Sequence, residues 1–366
     1  MSLYDNARLL IDGELVAAQG GRTFENINPA TEEVLGLVPD ASVEDTERAI
    51  AAARRAFDES PWATDHALRS RCLRQLRDGL QERIEELRKI TVSEVGCPIS
   101  MTYGPGLDDC VKWLGDYANF LDGYEWKTDM GVAEVMGSKT QRWILREPAG
   151  VMAAITPWNV PNDINLKKLG WAMAAGCTVV LKAAPTTSWC ANFLGEIIAT
   201  KTDVPAGAVN ILTSGDNAAI GEMLTADPRV DMVGFTGSTG VGKRIGEVCG
   251  SQVKRVQLEL GGKSAAIVLP DMPGLTHVAG AMGATVCFHA GQGCAIFTRL
   301  LVPKSELDAC ADAVIQSLKN VKYGDPFDPE NIMGPQNSAI QRERVEGHIQ
   351  HAIDQGGKLL VGGGRA

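Results

Sequence analysis

The alternation of apolar and polar residues predicts regular elements from the start of the chain. Asp12-Gly13 separates two short apolar runs, which is the usual signal for a hairpin turn that needs positive φ. Ser42 and Asp45 have the spacing of a capping box and precede apolar residues at helical spacing, so a helix is predicted to begin there. A second helix is predicted through five further apolar positions: Leu73, Leu76, Leu80, Ile84 and Leu87.

The middle of the chain has the pattern of a parallel sheet. Residues 132–146 contain two strand-like runs and predict an extended hairpin. Further on, short apolar runs alternate with stretches of helical periodicity; the runs lie at 151–155, 178–181, 209–212 and 230–235. Such alternation is typical of α/β proteins in which helices cover both faces of a parallel sheet. Two more strand-like runs, 256–260 and 265–269, flank a glycine pair.

Composition narrows the class of protein. The 366 residues are 45% apolar and include 40 glycines, which suits two or three α/β domains with many tight turns. The formal net charge of -10 argues against a nucleic-acid surface, because such surfaces collect Lys and Arg. Nine cysteines without a C-x-x-C pair indicate reduced thiols, with neither a disulfide framework nor a metal site, and favour the cytoplasm. No secretory leader and no membrane-spanning apolar run is recognised.

Three segments place a reactive or charged side chain beside prolines or glycines. Asn159 lies in a loop stiffened by Pro157 and Pro161. Glu259 lies in an apolar run just before a glycine pair, where burial would make its carboxylate a stronger proton acceptor. Cys294 follows Gly-Gln-Gly on a flexible loop. Each segment alone has a simpler structural explanation, as a rigid turn, a solvated carboxylate or an inert buried thiol.

Taken together, these three motifs, in this order and at these intervals, resemble those of the aldehyde dehydrogenase superfamily across nearly the whole chain. Further stretches resemble the same superfamily: residues 28–31, 181–182, 204–207, 235–240 and 324–329. The resemblance implies an α/β fold of three parts: a discontinuous Rossmann-type NAD(P)-binding domain at residues 1–127 and 150–261, a bridging and oligomerising β-hairpin at 128–149, and a partial catalytic thiol domain at 262–366. It also implies a homodimer or homotetramer that acts on a small-molecule aldehyde.

The resemblance implies a role for each of four side chains. Cys294 is expected to attack the aldehyde as a thiolate and to form first a thiohemiacetal and then a thioester. The side-chain amide of Asn159 and the backbone N–H of Cys294 would donate to the developing alkoxide. Glu259 would activate the water that hydrolyses the thioester to a carboxylate. Lys168 matches a lysine near the family's active site and would support this network, and no metal is implied.

The resemblance also implies NAD as the default cofactor, with NADP as a possibility. Many family members carry Glu where this chain has Pro185, and that carboxylate grips the ribose hydroxyls and repels a 2′-phosphate. Unpaired N–H groups at the helix that follows Ser238 would favour the pyrophosphate, and Lys182 would reach the adenosine ribose. The full set of cofactor-side positions is Ile155, Thr156, Pro157, Trp158, Lys182, Gly215, Phe235, Thr236, Gly237, Ser238, Leu260, Gly261 and Gln341.

Two departures from the family pattern bear on activity. His289-Ala290 stands where Asn-Ala or Asn-Gln is more frequent, and a packing role is favoured for His289 over a role in tuning the thiol. Family members also continue well past a glycine-rich turn like residues 362–364. A polypeptide of these residues alone is therefore expected to be weakly active, to expose apolar surface and to assemble poorly.

Three other function classes are weighed against this interpretation. Residues 237–243 fit most of a phosphate-binding NTPase loop, but Arg244 follows where a Ser or Thr must bind Mg²⁺. A cysteine hydrolase or acyltransferase would use Cys294 and Glu259 but would leave residues 235–240 with no phosphate to hold. An inactive binding protein on this scaffold is disfavoured because all three catalytic side chains are present.

Overall fold

The computed structural model describes residues 3–4 and 7–365. In chain order its strands are β1 (Leu9–Ile11), β2 (Glu14–Val16), β3 (Thr23–Ile27), β4 (Val34–Pro39), β5 (Lys127–Val135), β6 (Ser138–Leu145), β7 (Val151–Ile155), β8 (Thr178–Lys182), β9 (Val209–Leu212), β10 (Met232–Gly237), β11 (Arg255–Leu260), β12 (Ser264–Ile267) and β13 (Phe297–Leu301). Its α-helices are α1 (Val43–Glu59), α2 (His66–Glu82), α3 (Ile84–Val95), α4 (Ile99–Thr102), α5 (Asp108–Asp122), α6 (Pro161–Ala175), α7 (Ser188–Lys201), α8 (Asn217–Ala226), α9 (Thr239–Ser251), α10 (Leu275–Ala284), α11 (Leu307–Lys319) and α12 (Ala339–Asp354). The predicted α/β class is confirmed. No helix in these described residues is long and apolar enough to cross a membrane.

The largest sheet of the described residues has seven strands in the order β11-β10-β7-β8-β9-β1-β2. Strands β7 to β11 run parallel to one another, and β1 joins the sheet antiparallel to β9. The chain adds β8 and β9 on one side of β7 and then β10 and β11 on the other. Such a reversal leaves a crevice outside the carboxyl ends of the strands, where ligands of open α/β sheets bind. The Rossmann-type sheet is therefore confirmed.

Both faces of this sheet are buried. Met152 and Ala154 of β7 pack in a core formed with α2, α5, α6 and α7. Val151, Ala153 and Ile155 pack in a second core on the opposite face, formed with α1, α8 and α9. Side chains alternate between the two faces of a strand, so a strand that helices cover on both faces is a continuous apolar run.

The two local signals near the start of the chain are confirmed. Asp12 and Gly13 form the β1–β2 turn with φ of 56° and 80°, as an Asp-Gly hairpin turn requires. At the start of α1, the Asp45 N–H donates to Ser42 Oγ at 3.1 Å, and the Ser42 N–H donates to Asp45 Oδ2 at 3.0 Å. This capping box provides partners for two N–H groups that the start of the helix would otherwise leave unpaired.

The single helix predicted between residues 73 and 87 is wrong, because two helices cover this stretch. Helices α2 and α3 meet at Arg83, which has φ of -117° and ψ of 25°. The Arg83 guanidinium donates to Glu86 on α3 and to Glu196 on α7. The apolar spacing continues across the break, so the pattern alone does not reveal it.

The predicted extended hairpin is confirmed and begins earlier than expected, at Lys127. Strands β5 and β6 form an antiparallel pair outside the large sheet, joined by a turn in which Met136 and Gly137 have φ of 50° and 78°. Residues along both strands are exposed or half-exposed, and they include the apolar Val132 and Leu145.

The glycine pair at residues 261–262 lies where the chain passes from the large sheet to a small one. Strand β11 is the edge strand of the large sheet, whereas β12 pairs in parallel with β13. Helix α10 packs against α11 and β13 beside this small sheet. The two strand-like runs that flank the glycines therefore belong to different sheets.

Ser42→Ala is expected to lower the free energy of unfolding by about 1 to 2 kcal/mol, because the substitution removes the acceptor of the Asp45 N–H. Urea unfolding followed by circular dichroism would measure the change. Ser138→Ala is the matched control, because Ser138 opens an exposed strand, and it should change the value by less than about 0.5 kcal/mol. Equal effects of the two substitutions would contradict the capping role.

Candidate active site

The carboxyl ends of the parallel strands bring most of the predicted site residues to one edge of the sheet. Ile155 is paired with Phe235 of β10 and with Lys182 of β8, and Phe235 is paired with Leu258 of β11. The strand ends and the loops after them hold residues 155–159, 235–238 and 259–261. Segments far apart in the sequence meet here because parallel strands end at the same edge.

Glu259 lies on the face of the sheet that α6 covers, since its neighbours Leu258 and Leu260 pack against the core on the α9 side. Lys168 reaches the same face from α6 and is 7% exposed. Burial lowers the pKa of Lys168 to about 8, and the negative charge of Glu259 partly opposes that shift. The Lys168 Nζ lies 3.5 Å from the position where Gly234 lacks a Cβ, so this glycine leaves room for the ammonium group.

The side chain of Glu259 is exposed, so its place in an apolar run does not bury the carboxylate. Strand β11 is the edge strand of the large sheet, so among the described residues no further strand pairs with its open side. The apolar run around Glu259 reflects packing of alternate residues on the other face. The exposed carboxylate of Glu259 therefore lies on the same face of the sheet as the buried ammonium of Lys168 and acts on its charge without a direct ion pair.

The loop of Asn159 contacts residues 289–294, which we call the nucleophile loop. The Asn159 Nδ2 donates to the carbonyl of Gln292 at 2.7 Å, and the Asn159 carbonyl lies 2.8 Å from His289 Nε2. An amide nitrogen carries two hydrogens, so one hydrogen lies outside this bond. Cys294 follows Gln292 by two residues, which brings the amide and the thiol to the same pair of facing loops.

Cys294 is the exposed cysteine of the chain. All nine cysteines lie in the described residues: Cys287 is half-buried and the other seven are buried. Burial raises the pKa of the Cys72 thiol to about 11 and that of Cys97 to about 12. The carbonyl oxygen of Cys294 lies 3.4 Å from the position where Gly262 lacks a Cβ, so the nucleophile loop rests on the turn that follows Glu259.

The sequence reasoning missed the contacts that anchor the nucleophile loop. The side-chain amide of Gln292 donates to the carbonyls of His289 and Pro335 at 3.1 and 3.2 Å. Its Oε1 accepts from the Asn337 N–H at 2.8 Å, and Asn337 Nδ2 donates to two carbonyls at the end of α3. No spacing rule links residues 292 and 337, so the sequence carries no signal for this contact.

Lys182, at the end of β8, is the cation of the cofactor-side set. It is 1% exposed, and burial lowers its pKa to about 8 against the opposing effect of Asp216. The Lys182 Nζ donates to the carbonyl of Ala183 at 3.1 Å and to Asn217 Oδ1. Among the described residues no carboxylate forms an ion pair with this ammonium, so its charge can act on a bound anion.

The start of α9 offers a site for a negatively charged group. Ser238 is the N-cap residue of this 13-residue helix, whose first N–H groups and dipole favour negative charge. Nearby, the buried Thr236 Oγ1 has no hydrogen-bond partner among the described residues. A Cβ at Gly237 would lie 2.5 Å from the ring of Phe235, so only glycine fits this strand end. These residues fit the phosphates and hydroxyls of a dinucleotide.

Three predicted cofactor-side residues have other surroundings. The side chain of Phe235 packs in the core on the α9 side, which leaves its backbone for a ligand. The Gly215 N–H donates to Asp40 Oδ1 at 3.0 Å. Gln341 lies in the first turn of α12, whose residues line a cavity of about 890 Å³ that also contacts Pro185. The other predicted cofactor-side positions lie closer to the crevice at the strand ends than these three residues do.

Known proteins are similar to this chain in sequence and in fold. The sequence model of the aldehyde dehydrogenase family matches residues 15–366. The putative aldehyde dehydrogenase DhaS of Bacillus subtilis (strain 168) is 36% identical, over 99% of this chain and 72% of its own length. The NADP(+) succinate-semialdehyde dehydrogenase 2 of Schizosaccharomyces pombe is 35% identical, over 98% of this chain and 71% of its own length.

A solved structure extends the likeness to three dimensions. The Mycobacterium tuberculosis aldehyde dehydrogenase complexed with NAD+ is 35% identical and superposes with a TM-score of 0.91, covering 98% of this chain and 73% of that one. The sequence and the fold therefore agree over almost the whole chain. Because the family model also spans nearly all of these residues, the chain belongs to the aldehyde dehydrogenase family.

Proposed function

We propose that the chain oxidises an aldehyde to a carboxylate through a thioester on Cys294, with Asn159 and Glu259 as the assisting groups. Its family makes it an NAD(P)-dependent oxidoreductase that acts on aldehydes. The observation that carries the assignment of residues is the hydrogen bond from Asn159 to the nucleophile loop. That bond holds an amide donor against the loop that bears the exposed thiol.

Cys294 supplies the nucleophile in this proposal. Its thiolate attacks the carbonyl carbon, a C–S bond forms, and the π electrons of the carbonyl move to the oxygen. The second Nδ2 hydrogen of Asn159 and the backbone N–H of Cys294 donate to that oxygen, and each such donor contributes roughly 3 kcal/mol in comparable sites. Because the first hydrogen is held by the Gln292 carbonyl, the amide is oriented before a substrate arrives.

The crevice residues hold the dinucleotide in this proposal. Lys182, Thr236 and Ser238 present donors at the strand ends and would bind its ribose and phosphates. When bound, the nicotinamide supplies the acceptor for the hydride whose removal converts the thiohemiacetal to the thioester. We propose NAD as the default, and NADP remains open because Pro185 offers no carboxylate to repel a 2′-phosphate.

Glu259 completes the reaction by activating water. Its carboxylate takes a proton from water, the water oxygen attacks the thioester carbonyl, and the C–S bond breaks to release the Cys294 thiolate. The exposure of Glu259 on the edge strand supports this role, because water reaches it directly. Lys168 lies on the same face of the sheet and places an ammonium group near this carboxylate.

We propose the same three-part division that the resemblance implies. The end of the large sheet at Leu260 and the start of the small sheet at Ser264 support a boundary between residues 261 and 262. The separate β5–β6 hairpin, with its exposed apolar residues, supports a bridging role at 128–149 and assembly as a homodimer or homotetramer. The nine unpaired thiols support a cytoplasmic location.

The NTPase alternative gains no support from the surroundings of Arg244. Its guanidinium pairs with Glu222 and Glu247 at the surface, and Arg244 stands at the sequence position where the loop requires a Ser or Thr to bind Mg²⁺. The cysteine hydrolase alternative differs from the proposed function in one observable: it releases acid without reducing nicotinamide.

Cys294→Ser is expected to lower aldehyde-dependent reduction of the nicotinamide by at least about 10³-fold, because a hydroxyl is a far weaker nucleophile than a thiolate. The absorbance of the reduced nicotinamide measures this rate. Cys287→Ser is the control, because Cys287 is half-buried, and it should keep the rate within about threefold. Full activity of Cys294→Ser would remove the proposed function, and acid release without nicotinamide reduction by the unaltered chain would favour the hydrolase.

Glu259→Gln is expected to preserve the first turnover and to slow later ones by about 10² to 10⁴-fold, because an amide does not take a proton from water. Rapid mixing should therefore show a burst of reduced nicotinamide close to the enzyme concentration, followed by a slow phase. Glu247→Gln, on the exposed side of α9, is the matched control. Loss of the burst itself would assign Glu259 to a step before hydrolysis.

Lys168→Met is expected to stabilise the fold at neutral pH, because burial penalises an ammonium whose pKa falls from 10.5 to about 8. The unfolded chain keeps this proton up to about pH 10.5, so the unaltered chain regains stability as the pH rises between these two values. Its deficit relative to the variant, on the order of 3 kcal/mol at neutral pH, should shrink across that window. Urea unfolding at several pH values measures the difference in free energy of unfolding between the variant and the unaltered chain. Lys304→Met, at an exposed lysine, is the control. A difference for Lys168→Met that does not change with pH would contradict the burial penalty.

A further inference from the structure

His289 and Asn159 are joined from two directions. The ring of His289 lies 2.8 Å from the Asn159 carbonyl through Nε2, and the side-chain amide of Asn159 donates back to the nucleophile loop at Gln292. The first contact holds the backbone of Asn159 and the second holds its side chain. Together they leave one amide hydrogen of Asn159 without a protein acceptor in this pair of bonds.

The His289 ring has a defined tautomer and charge. A backbone carbonyl only accepts hydrogen bonds, so the 2.8 Å contact requires the hydrogen on Nε2. The ring is 1% exposed, and Nδ1 has no partner among the described residues. Burial lowers the pKa of His289 to about 4, so the ring is neutral at the pH at which a thiolate is available. A neutral ring with one fixed donor acts as a rigid hydrogen-bonding group.

The backbone of the nucleophile loop is held in an unfavourable conformation at the same place. His289 and Ala290 have φ of 50° and 54°, in the left-handed region that residues with a Cβ rarely adopt. Such conformations persist only where surrounding contacts determine them. Here the Gln292 side chain donates to the His289 carbonyl and is itself bound by the Asn337 N–H. The ring of His289 is therefore directed at Asn159 by a backbone that the rest of the structure holds.

We propose that His289 is a positioning residue for aldehyde oxidation: its Nε2–H fixes the Asn159 peptide so that the free amide hydrogen of Asn159 points at the oxygen of the substrate on Cys294. The inference rests on the proposed function, because it acts through the assigned role of Asn159. It replaces the packing role expected for this histidine, since a packing residue needs no donor directed at a carbonyl. Without the Nε2–H, the Asn159 carbonyl would be left without this donor and the peptide could rotate.

Two substitutions separate the donor from the volume of the ring. His289→Leu fills similar space without a donor and is expected to lower kcat by about 10 to 100-fold, with KM for the aldehyde and for the dinucleotide within about threefold. His289→Gln places an amide N–H at a similar distance and is expected to restore kcat to within about threefold of the unaltered chain. Should His289→Leu yield no folded protein, His289→Met, which also lacks a donor, takes its place.

A double substitution tests whether His289 acts through Asn159. Asn159→Ala alone is expected to lower kcat by about 10² to 10³-fold, and adding His289→Leu should lower it no further than about twofold. The rate at which iodoacetamide alkylates Cys294 should be the same in His289→Leu as in the unaltered chain, because the thiol itself is not disturbed. That rate distinguishes loss of orientation from disorder of the nucleophile loop.

The outcomes are distinguishable. A normal kcat in His289→Leu, a failure of His289→Gln to restore kcat, losses that multiply in the double variant, or a changed alkylation rate each overturns the positioning role while leaving the proposed function intact. A normal kcat in Asn159→Ala overturns the role of Asn159 and the positioning role together. The expected pattern of loss, restoration and non-additivity supports His289 acting through Asn159.

Discussion

The hydrogen bond from the Asn159 amide to the Gln292 carbonyl is the contact on which the site depends. It joins a loop at the end of the large sheet to the loop that carries Cys294, although more than a hundred residues separate the two in the chain. The bond uses one hydrogen of an amide that has two, so it orients the donor and still leaves it available. An oxyanion donor must be in place before charge develops, and a side chain held in this way needs little reorganisation.

The two groups proposed to react lie where the packing of the sheet ends. Glu259 is on the edge strand, and Cys294 is exposed on a loop that rests on the turn after that strand. The other cysteines are buried or half-buried, and burial opposes formation of their thiolates. The same arrangement explains how water reaches the carboxylate, whereas helices bury both faces of the central strands.

Two buried ammonium groups lie beneath this edge and connect stability with function. Burial lowers the pKa of both Lys168 and Lys182 to about 8, which means that the fold holds them at an energetic cost. Each faces a place where negative charge is useful: Lys168 lies near the Glu259 carboxylate, and Lys182 lies at the crevice proposed for the dinucleotide. Fixed positive charge in a partly desolvated cleft attracts anions more strongly than the same charge at the surface.

The sequence alone determined the α/β class, the Asp12-Gly13 turn, the Ser42 cap and the family, because these depend on local periodicity and on motifs that lie together in the chain. It did not determine the break at Arg83 or the exposure of Glu259, because an apolar run does not record where a helix bends or which strand lies at a sheet edge. The contacts of His289, Gln292 and Asn337 were decided only by the tertiary structure. Hydrogen bonds between distant loops depend on the positions of backbone carbonyls, and those positions exist only once the sheets and helices have packed.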